Sequence, residues 1–501
     1  MKKDAMHPTP FPHLRDGNSR IALVEQGRAI SYGELNVRID RFASGLLGTR
    51  HDLEEERIAC FLPASLDYVT VMHGVWRAGG ISVPLNVASA LAELDHYLSC
   101  ARVTRLVASA ENHTVLRDLC DRLGIELLEV SGLLADETTP LPAIAPERRA
   151  MMVFTSGTTN KPKGVVTTHA NIAAQITTLL DAWAWSEDDA IPLFLPLHHV
   201  HGIINVLSCA LWAGAKVDLF PKFDAGRIAA ETAADAYTVF MAVPTIYVKI
   251  LQYLDGLEPA EARRICDGFG AMRLNVSGSA ACPVPLFEQW KARTGQVLLE
   301  RYGMTEIGMA ISNPYQGERR AGYVGQPLPG VQVMLVGEDG AAITEEGVPG
   351  EIRIKGANVF LEYWDNPKAT QESFVDGWFR TGDMAVVENG YYRIMGRTSI
   401  DIIKSGGYKL SALEIEGVLL DHPDIAEIAV IGVADDVWGE AVGAVIVARE
   451  GAELTAEALK EWCEGKLSAY KIPKRIRFAQ VLPRNAMGKV TKPDLKPLLA
   501  G

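Results

Sequence analysis

The alternation of short apolar runs with helix-length segments in the first half most narrows what this chain can fold into. RIACFL (57–62) is continuous enough in apolar residues for a buried strand. DYVTVMHGVWRAG (67–79) spaces its apolar residues at helical intervals and ends in glycine, and ISVPL (81–85) follows as another short strand. RLVAS (105–109) and MMVFTS (151–156) repeat a strand followed by a polar loop. This pattern predicts βαβ units and parallel sheets, whose ligands bind outside the carboxyl ends of the strands. FTSGTTNKPKG (154–164) follows the apolar MMVF directly, where such a sheet places a ligand loop. It is not a P-loop, since no Gly-Lys-Ser/Thr occurs in it. Its glycines allow close backbone approach, its hydroxyls add donors, and Lys161 and Lys163 add charge. That composition suits a phosphate; a polar surface turn is the alternative.

At 501 residues the chain exceeds one ordinary core, so two or more domains are expected. From about residue 320 the texture changes to short β-rich runs (VQVMLV, GEIRIKG, GYYRIMG) separated by Gly, Pro and Asp, suggesting an antiparallel barrel or sandwich. After GRTSIDIIKSGG (396–407) comes a small α+β unit, with a helix at SALEIEGVLLDH, strands at EIAVIGVA and AVGAVIVA, and a helix at AEALKEWCEGKL. The expected division is 1–397 and 398–501, with the glycine-rich segment as linker.

A net charge of −13 argues against a nucleic-acid partner but leaves local anion sites open. Seven well-separated cysteines without C-x-x-C favour reduced thiols and a cytoplasmic location. The first residues lack the apolar core of a secretory signal, although a processed organelle import sequence would leave no trace. The apolar run from Ile203 to Ala215 is too short to span a bilayer.

Further stretches carry chemistry. LPLHHVHG (195–202) packs three histidines into a short loop, read as a metal site or as individually satisfied side chains; no nearby Cys or Glu completes a zinc set. ERYGMTE (300–306) sets Arg301 among two carboxylates and a glycine, WFRTGD (378–383) ends a β-like run with an aspartate, and NAMGKV (485–490) puts Lys489 behind a glycine.

TSGTT–KPKG, YGMTE, TGD, GR, KSGG and PRN–GK, in that order from about Ile30 to Lys492, resemble the adenylate-forming (ANL) superfamily of acyl- and aryl-CoA synthetases, peptide-synthetase adenylation domains and beetle luciferases. The resemblance implies an α/β fold: a large N-terminal domain of two parallel α/β sheets plus a β-barrel, with a small mobile α+β C-terminal domain. It implies two half-reactions. A carboxylate attacks the α-phosphorus of ATP and releases pyrophosphate; a thiol then attacks the acyl-adenylate. By resemblance, Thr155, Ser156, Gly157, Thr158, Thr159 and Lys163 hold the β,γ-phosphates, and Glu306 with Thr158 or Thr305 holds Mg²⁺. Lys489 reaches the substrate carboxylate and α-phosphate, offsetting charge at the pentavalent centre. Asp383 and Arg397 hold the ribose; Ser279, Ala280, Tyr302 and Gly303 flank the adenine, with Met304 completing the ATP site; His199 lies beside the acyl group. In the second step KSGGYK (Lys404, Ser405, Gly406, Gly407, Tyr408, Lys409) lines the CoA thiol channel, with Lys471 and Lys474 as further candidates for the CoA phosphates or else parts of a solvated face.

HHVHG, VSGSAACP, ERYGMTEIGM and GRTSIDIIKSGGYKLSALEIEG are most similar to malonyl-CoA synthetases, including methylmalonate-using members. Arg301 and His201 would place two donors in an acyl pocket, where an unpaired cation is costly unless the substrate brings a second carboxylate. The resemblance implies that Arg301 and His201, and more weakly Ser279, take the distal carboxylate of malonate or methylmalonate; the alternative is that Arg301 braces the ATP site or pairs with Glu300. Other readings are a short- or medium-chain or aryl acyl-CoA synthetase, an amino-acid adenylating module, or a non-catalytic nucleotide-binding protein. Because Lys489 must act as a cation, a lysine acetyltransferase acting on it would be a regulatory partner. Two departures from the family pattern stand out: Asn160 replaces a usual glycine, and one extra residue between Arg397 and Asp401 leaves the hinge at Ser399 or Ile400.

Overall fold

The protein is described by a computed structural model covering residues 11–155, 162–398, 400–405, 408–435, 438–464, 466–484 and 490–499. The expected parallel sheets are present. In the first, Arg149–Thr155, Ile81–Pro84, Arg57–Phe61, Arg105–Ala108 and Glu126–Leu128 run parallel, and Lys163–Thr168 returns antiparallel beside Arg149–Thr155. RIACF is buried at four of its five positions because helices cover both faces of such a sheet, which is why it reads as continuous rather than alternating.

In the second, Ile21–Glu25, Lys216–Leu219 and Ala190–Leu193 are parallel. A further sheet holds the parallel strands Val239–Ala242, Leu274–Ser277 and Leu299–Met304, and the amide of Thr238, just before Val239–Ala242, donates to the Ala190 carbonyl (2.9 Å). Gly308–Ser312 then turns back antiparallel.

Local signals explain the helix starts. Ser31 and Glu34 form a reciprocal capping box for Tyr32–Leu47, and Ser65 caps Leu66–Arg77. Between the sheets lies one large core containing the fully buried Trp76, Trp183 and Trp290.

The barrel region is a six-stranded antiparallel sheet in which Ala342–Ile343, Gln332–Val336, Gly350–Lys355, Trp378–Glu388 and Phe374–Val375 lie side by side, with Tyr391–Arg397 also on Trp378–Glu388. The C-terminal domain has its own sheet (Tyr408–Ser411, Ile402–Ser405, Gly439–Ala448, Ile425–Asp435, and Arg475–Phe478 on Gly439–Ala448) and its own apolar clusters around Ile403, Val430, Ile446 and Leu495. No helix among the described residues is long and apolar enough to cross a membrane.

One local expectation changes. His201 is not in a loop: it opens a π-helix, His201–Ser208, in which Ser208 Oγ donates to the Ile203 carbonyl five residues back (2.7 Å). A π-turn is wider than an α-turn and recurs at functional sites, and no apolar periodicity announces it.

Candidate active site

One cavity of about 1140 Å³ lies outside the carboxyl ends of the parallel strands. It is lined by Thr155 at the end of Arg149–Thr155, by His199 and His201 beyond Ala190–Leu193, by Ser279 and Ala280 beyond Leu274–Ser277, and by Arg301–Glu306 on and just after Leu299–Met304. Lys163, Asp383 and Arg397 join them, so every described residue assigned from the sequence to ATP or the acyl substrate lines the same cavity. Ser156, Gly157, Thr158, Thr159, Asn160, Ser399, Gly406, Gly407 and Lys489 lie outside the described residues, and only the backbone of Tyr408 and Lys409 is described.

At one end Asp383 accepts two hydrogen bonds, from the Tyr302 hydroxyl (2.5 Å) and from Arg397 Nε (3.1 Å). Burial pushes its carboxyl upward, and the Arg397 guanidinium opposes that rise. The Tyr302 hydroxyl is a partner the motif did not disclose, since the resemblance sets Tyr302 and Gly303 beside the adenine. Glu306 is 5% exposed and accepts from the Tyr363 hydroxyl (2.9 Å), while the Lys163 ammonium stands 4.8 Å from the Tyr363 ring centre. Tyr363 was missed because FLEYWDN carries no motif of its own. Among the described residues no group of three or more His, Cys, Asp and Glu could hold a metal ion, the histidine run included.

At the other end, Glu300 and Arg301 are neighbours on one strand and so point to opposite faces. Glu300 accepts the Gly322 amide (3.1 Å), and burial pushes its carboxyl up to about 8. Arg301 is 5% exposed, its Nε and Nη2 have no hydrogen-bond partner among the described residues, and burial pulls its guanidinium down to about 9. Neither Nε nor Nη2 of Arg301 bonds Glu300.

Ser279 stands at φ +67°, a left-handed conformation uncommon for a non-glycine residue, and its hydroxyl meets His201 Nδ1 at 3.1 Å. His201 is itself buried, with Nε2 unpartnered among the described residues, and burial followed by the charge of Arg301 holds its ring well below the ordinary imidazole range. His201 is therefore a neutral donor or acceptor beside Arg301, rather than a second cation. The His198 and His199 rings lie 4.1 Å apart, and burial pulls His198 down to about 3.

Of the residues assigned to CoA, the described Lys404, Ser405, Lys471 and Lys474 do not line this cavity. Lys404 reaches Glu338 (3.4 Å), Lys471 pairs with Glu414 (2.5 Å), Lys474 lies 3.8 Å from the Trp438 ring centre, and Ser405 is buried.

A domain of parallel sheets with a polyanion-sized cavity at the strand ends, followed by a small α+β domain, defines a nucleotide-using enzyme class, and the family comparison agrees. The AMP-binding enzyme family matches residues 13–364 and the AMP-binding enzyme C-terminal domain matches 414–489; the chain belongs to this family. It is 42% identical to the mitochondrial malonate–CoA ligase ACSF3 of Homo sapiens, across 95% of this chain and 89% of that one. It is 38% identical to the malonate–CoA ligase of Arabidopsis thaliana, across 98% and 88%. Among solved structures it resembles ATP-bound MatB from Rhodopseudomonas palustris (35% identity, TM-score 0.88, 98% and 99% covered). It also resembles a malonyl-CoA ligase in a ternary product complex with methylmalonyl-CoA and AMP bound (35%, TM-score 0.70, 96% and 100% covered).

Proposed function

We propose that the protein is an ATP-dependent malonate–CoA ligase that also accepts methylmalonate. One malonate carboxylate attacks the α-phosphorus of ATP, forming malonyl-adenylate and expelling pyrophosphate. The CoA thiol, losing its proton, then attacks the acyl carbonyl, forming malonyl-CoA and expelling AMP. The observation that carries this reading is the buried Arg301 guanidinium, which lines the cavity with Nε and Nη2 lacking a hydrogen-bond partner among the described residues. A monocarboxylic acid would leave that charge unpaired; a dicarboxylic acid supplies its partner, and a planar guanidinium can take the distal carboxylate with two parallel hydrogen bonds. The names of the relatives at about 40% identity support the same acid.

In this reading Asp383 holds the ribose hydroxyls, kept in place by Tyr302 and Arg397, and Ser279, Ala280, Tyr302, Gly303 and Met304 border the adenine. The loop from Thr155 to Lys163 takes the β,γ-phosphates, His199 borders the acyl group, and His201 with Ser279 adds neutral polar contacts beside Arg301. Glu306, a buried carboxylate lining the cavity, would hold Mg²⁺ together with the hydroxyl of Thr158 or Thr305. Bound there, Mg²⁺ would offset charge on the triphosphate. Lys489 supplies the positive charge at the α-phosphate, so its acetylation by a lysine acetyltransferase would stop the first half-reaction. The second half-reaction uses the segment from Lys404 to Lys409, carried by a C-terminal domain that begins at residue 398 and moves about Ser399 or Ile400; the separate apolar core beyond Ile402 supports that boundary. The seven free thiols support a cytoplasmic location, which imaging of the tagged full-length product would check against the mitochondrial site named for some relatives.

Pyrophosphate release with malonate, methylmalonate, acetate and octanoate, with and without CoA, tests the assignment. Malonate should lead; a preference for octanoate with malonate inert overturns it. Arg301→Met should cost malonate far more than acetate, and equal losses would move Arg301 to the ATP site.

A further inference from the structure

Three charged side chains that the reaction above does not use meet beneath the C-terminal tail. Lys492 Nζ lies 2.6 Å from Asp401 Oδ1 and 2.7 Å from Glu416 Oε1, and the three side chains are only 11%, 14% and 13% exposed. Burial pulls the Lys492 ammonium toward neutrality, but the two carboxylates more than offset this and keep it charged. The cluster continues in both directions. Glu416, on the helix Ala412–Leu420, accepts the Val430 amide (2.7 Å) from Ile425–Asp435, an edge strand of the C-terminal sheet. Asp401 Oδ2 accepts the Arg397 amide (3.0 Å), and Arg397 Nε holds Asp383 in the active-site cavity. Lys492 thus ties the tail, three residues beyond Lys489, to the sheet of its own domain and to the segment that leads into the nucleotide site.

A long, flexible lysine side chain is seldom buried unless paired, and ordering it between two carboxylates has a side-chain entropy cost. The arrangement is strongly directional, since removing one member leaves buried charge without a partner. We infer that Lys492 is a positioning residue: its double ion pair with Asp401 and Glu416 fixes the root of the tail so that Lys489 is delivered to the α-phosphate in the first half-reaction. The inference rests on the role given to Lys489 above. It separates the two half-reactions, because in that reading the tail lysine serves adenylate formation, whereas thioester formation uses the segment Lys404 to Lys409.

The test measures the halves apart in the full-length protein: malonate-dependent exchange of labelled pyrophosphate into ATP without CoA, and single-turnover transfer from chemically prepared malonyl-adenylate to CoA. Lys492→Met should lower exchange by about tenfold to a hundredfold, the scale of a misplaced catalytic group, while transfer changes by no more than about twofold. Lys492→Arg, which keeps both ion pairs, should retain exchange to within about threefold. Glu416→Gln, which keeps the Asp401 contact, should fall between and also reports if Lys492→Met does not fold. Equal losses in both halves would mean that Lys492 only stabilises the domain, and unchanged exchange in folded Lys492→Met or Glu416→Gln would also overturn the inference. Lys489→Ala, run alongside, should abolish exchange; if exchange survives there, the role of Lys489 fails, whereas lost exchange in Lys489→Ala with intact exchange in Lys492→Met defeats the positioning role alone.

Discussion

The missing side chain of Gly278 is the space in which the Arg301 guanidinium lies: a methyl group on Gly278 would stand 2.4 Å from Arg301 Cζ and 2.5 Å from Nε. Gly278 has a backbone conformation that other residues tolerate, so its glycine is explained by proximity rather than by φ. Gly278→Ala should therefore fold normally but push the guanidinium aside. The expected outcome is a rise in KM for malonate of about tenfold or more, with acetate changed by less than about threefold, since a displaced charge-assisted hydrogen bond is worth roughly 1.5–3 kcal/mol. Steady-state pyrophosphate release with the two acids checks it; equal effects would place Gly278 in the ATP site instead.

The same guanidinium gives a pH signature. Burial lowers its pKa to about 9, and it binds a dicarboxylate only when protonated. The second carboxylate raises that pKa on binding, so affinity is full below about 9 and lost above it. In pyrophosphate exchange, which involves no thiol, kcat/KM for malonate should fall about tenfold per pH unit above 9, with no matching fall for acetate. Identical profiles for the two acids would argue that Arg301 does not meet the substrate.

Glu300 predicts a stability effect of defined sign. Its carboxyl is raised from 4.5 to about 8 by burial, so the folded state holds a proton that the unfolded state releases. That contribution is complete below pH 4.5 and is lost as pH rises through 8. Glu300→Gln removes the ionisation and should raise Tm at pH 9 by about 2 °C more than it does at pH 5. Calorimetry or dye-monitored melting at the two pH values decides; a larger gain at pH 5 would reverse the sign.

Asp383 accepts from both Tyr302 and Arg397, and an amide in its place can no longer pair with the guanidinium as an ion. Asp383→Asn should raise KM for ATP by about tenfold to a hundredfold, the worth of charge-assisted hydrogen bonds, with a smaller change in KM for malonate. A change confined to malonate would remove Asp383 from the ribose site.

What the amino-acid order alone carried was local chemistry and its place along the chain. RIACF, MMVF and their neighbours were legible as buried strands because an all-apolar run of that length has few other uses, and FTSGTTNKPKG was legible because hydroxyls, glycines and lysines are what phosphates need. Asp383 and Glu306 were found from motifs, but not their partners Tyr302 and Tyr363, which lie 81 and 57 residues away and reach them only through packing.

Tertiary structure decided the rest, because desolvation and pairing are properties of surroundings rather than of residue type. It turned Glu300 and Arg301 to opposite faces of one strand, left Nε and Nη2 of the guanidinium beside Gly278 without a hydrogen-bond partner among the described residues, and made His201 a neutral ring at the start of a π-helix. It also brought Lys492 to Asp401 across 91 residues, a contact no spacing rule contains. The sequence by itself determined which chemical groups the protein has and in what order; folding determined which of them are dry, which are paired, and so which remain for a substrate.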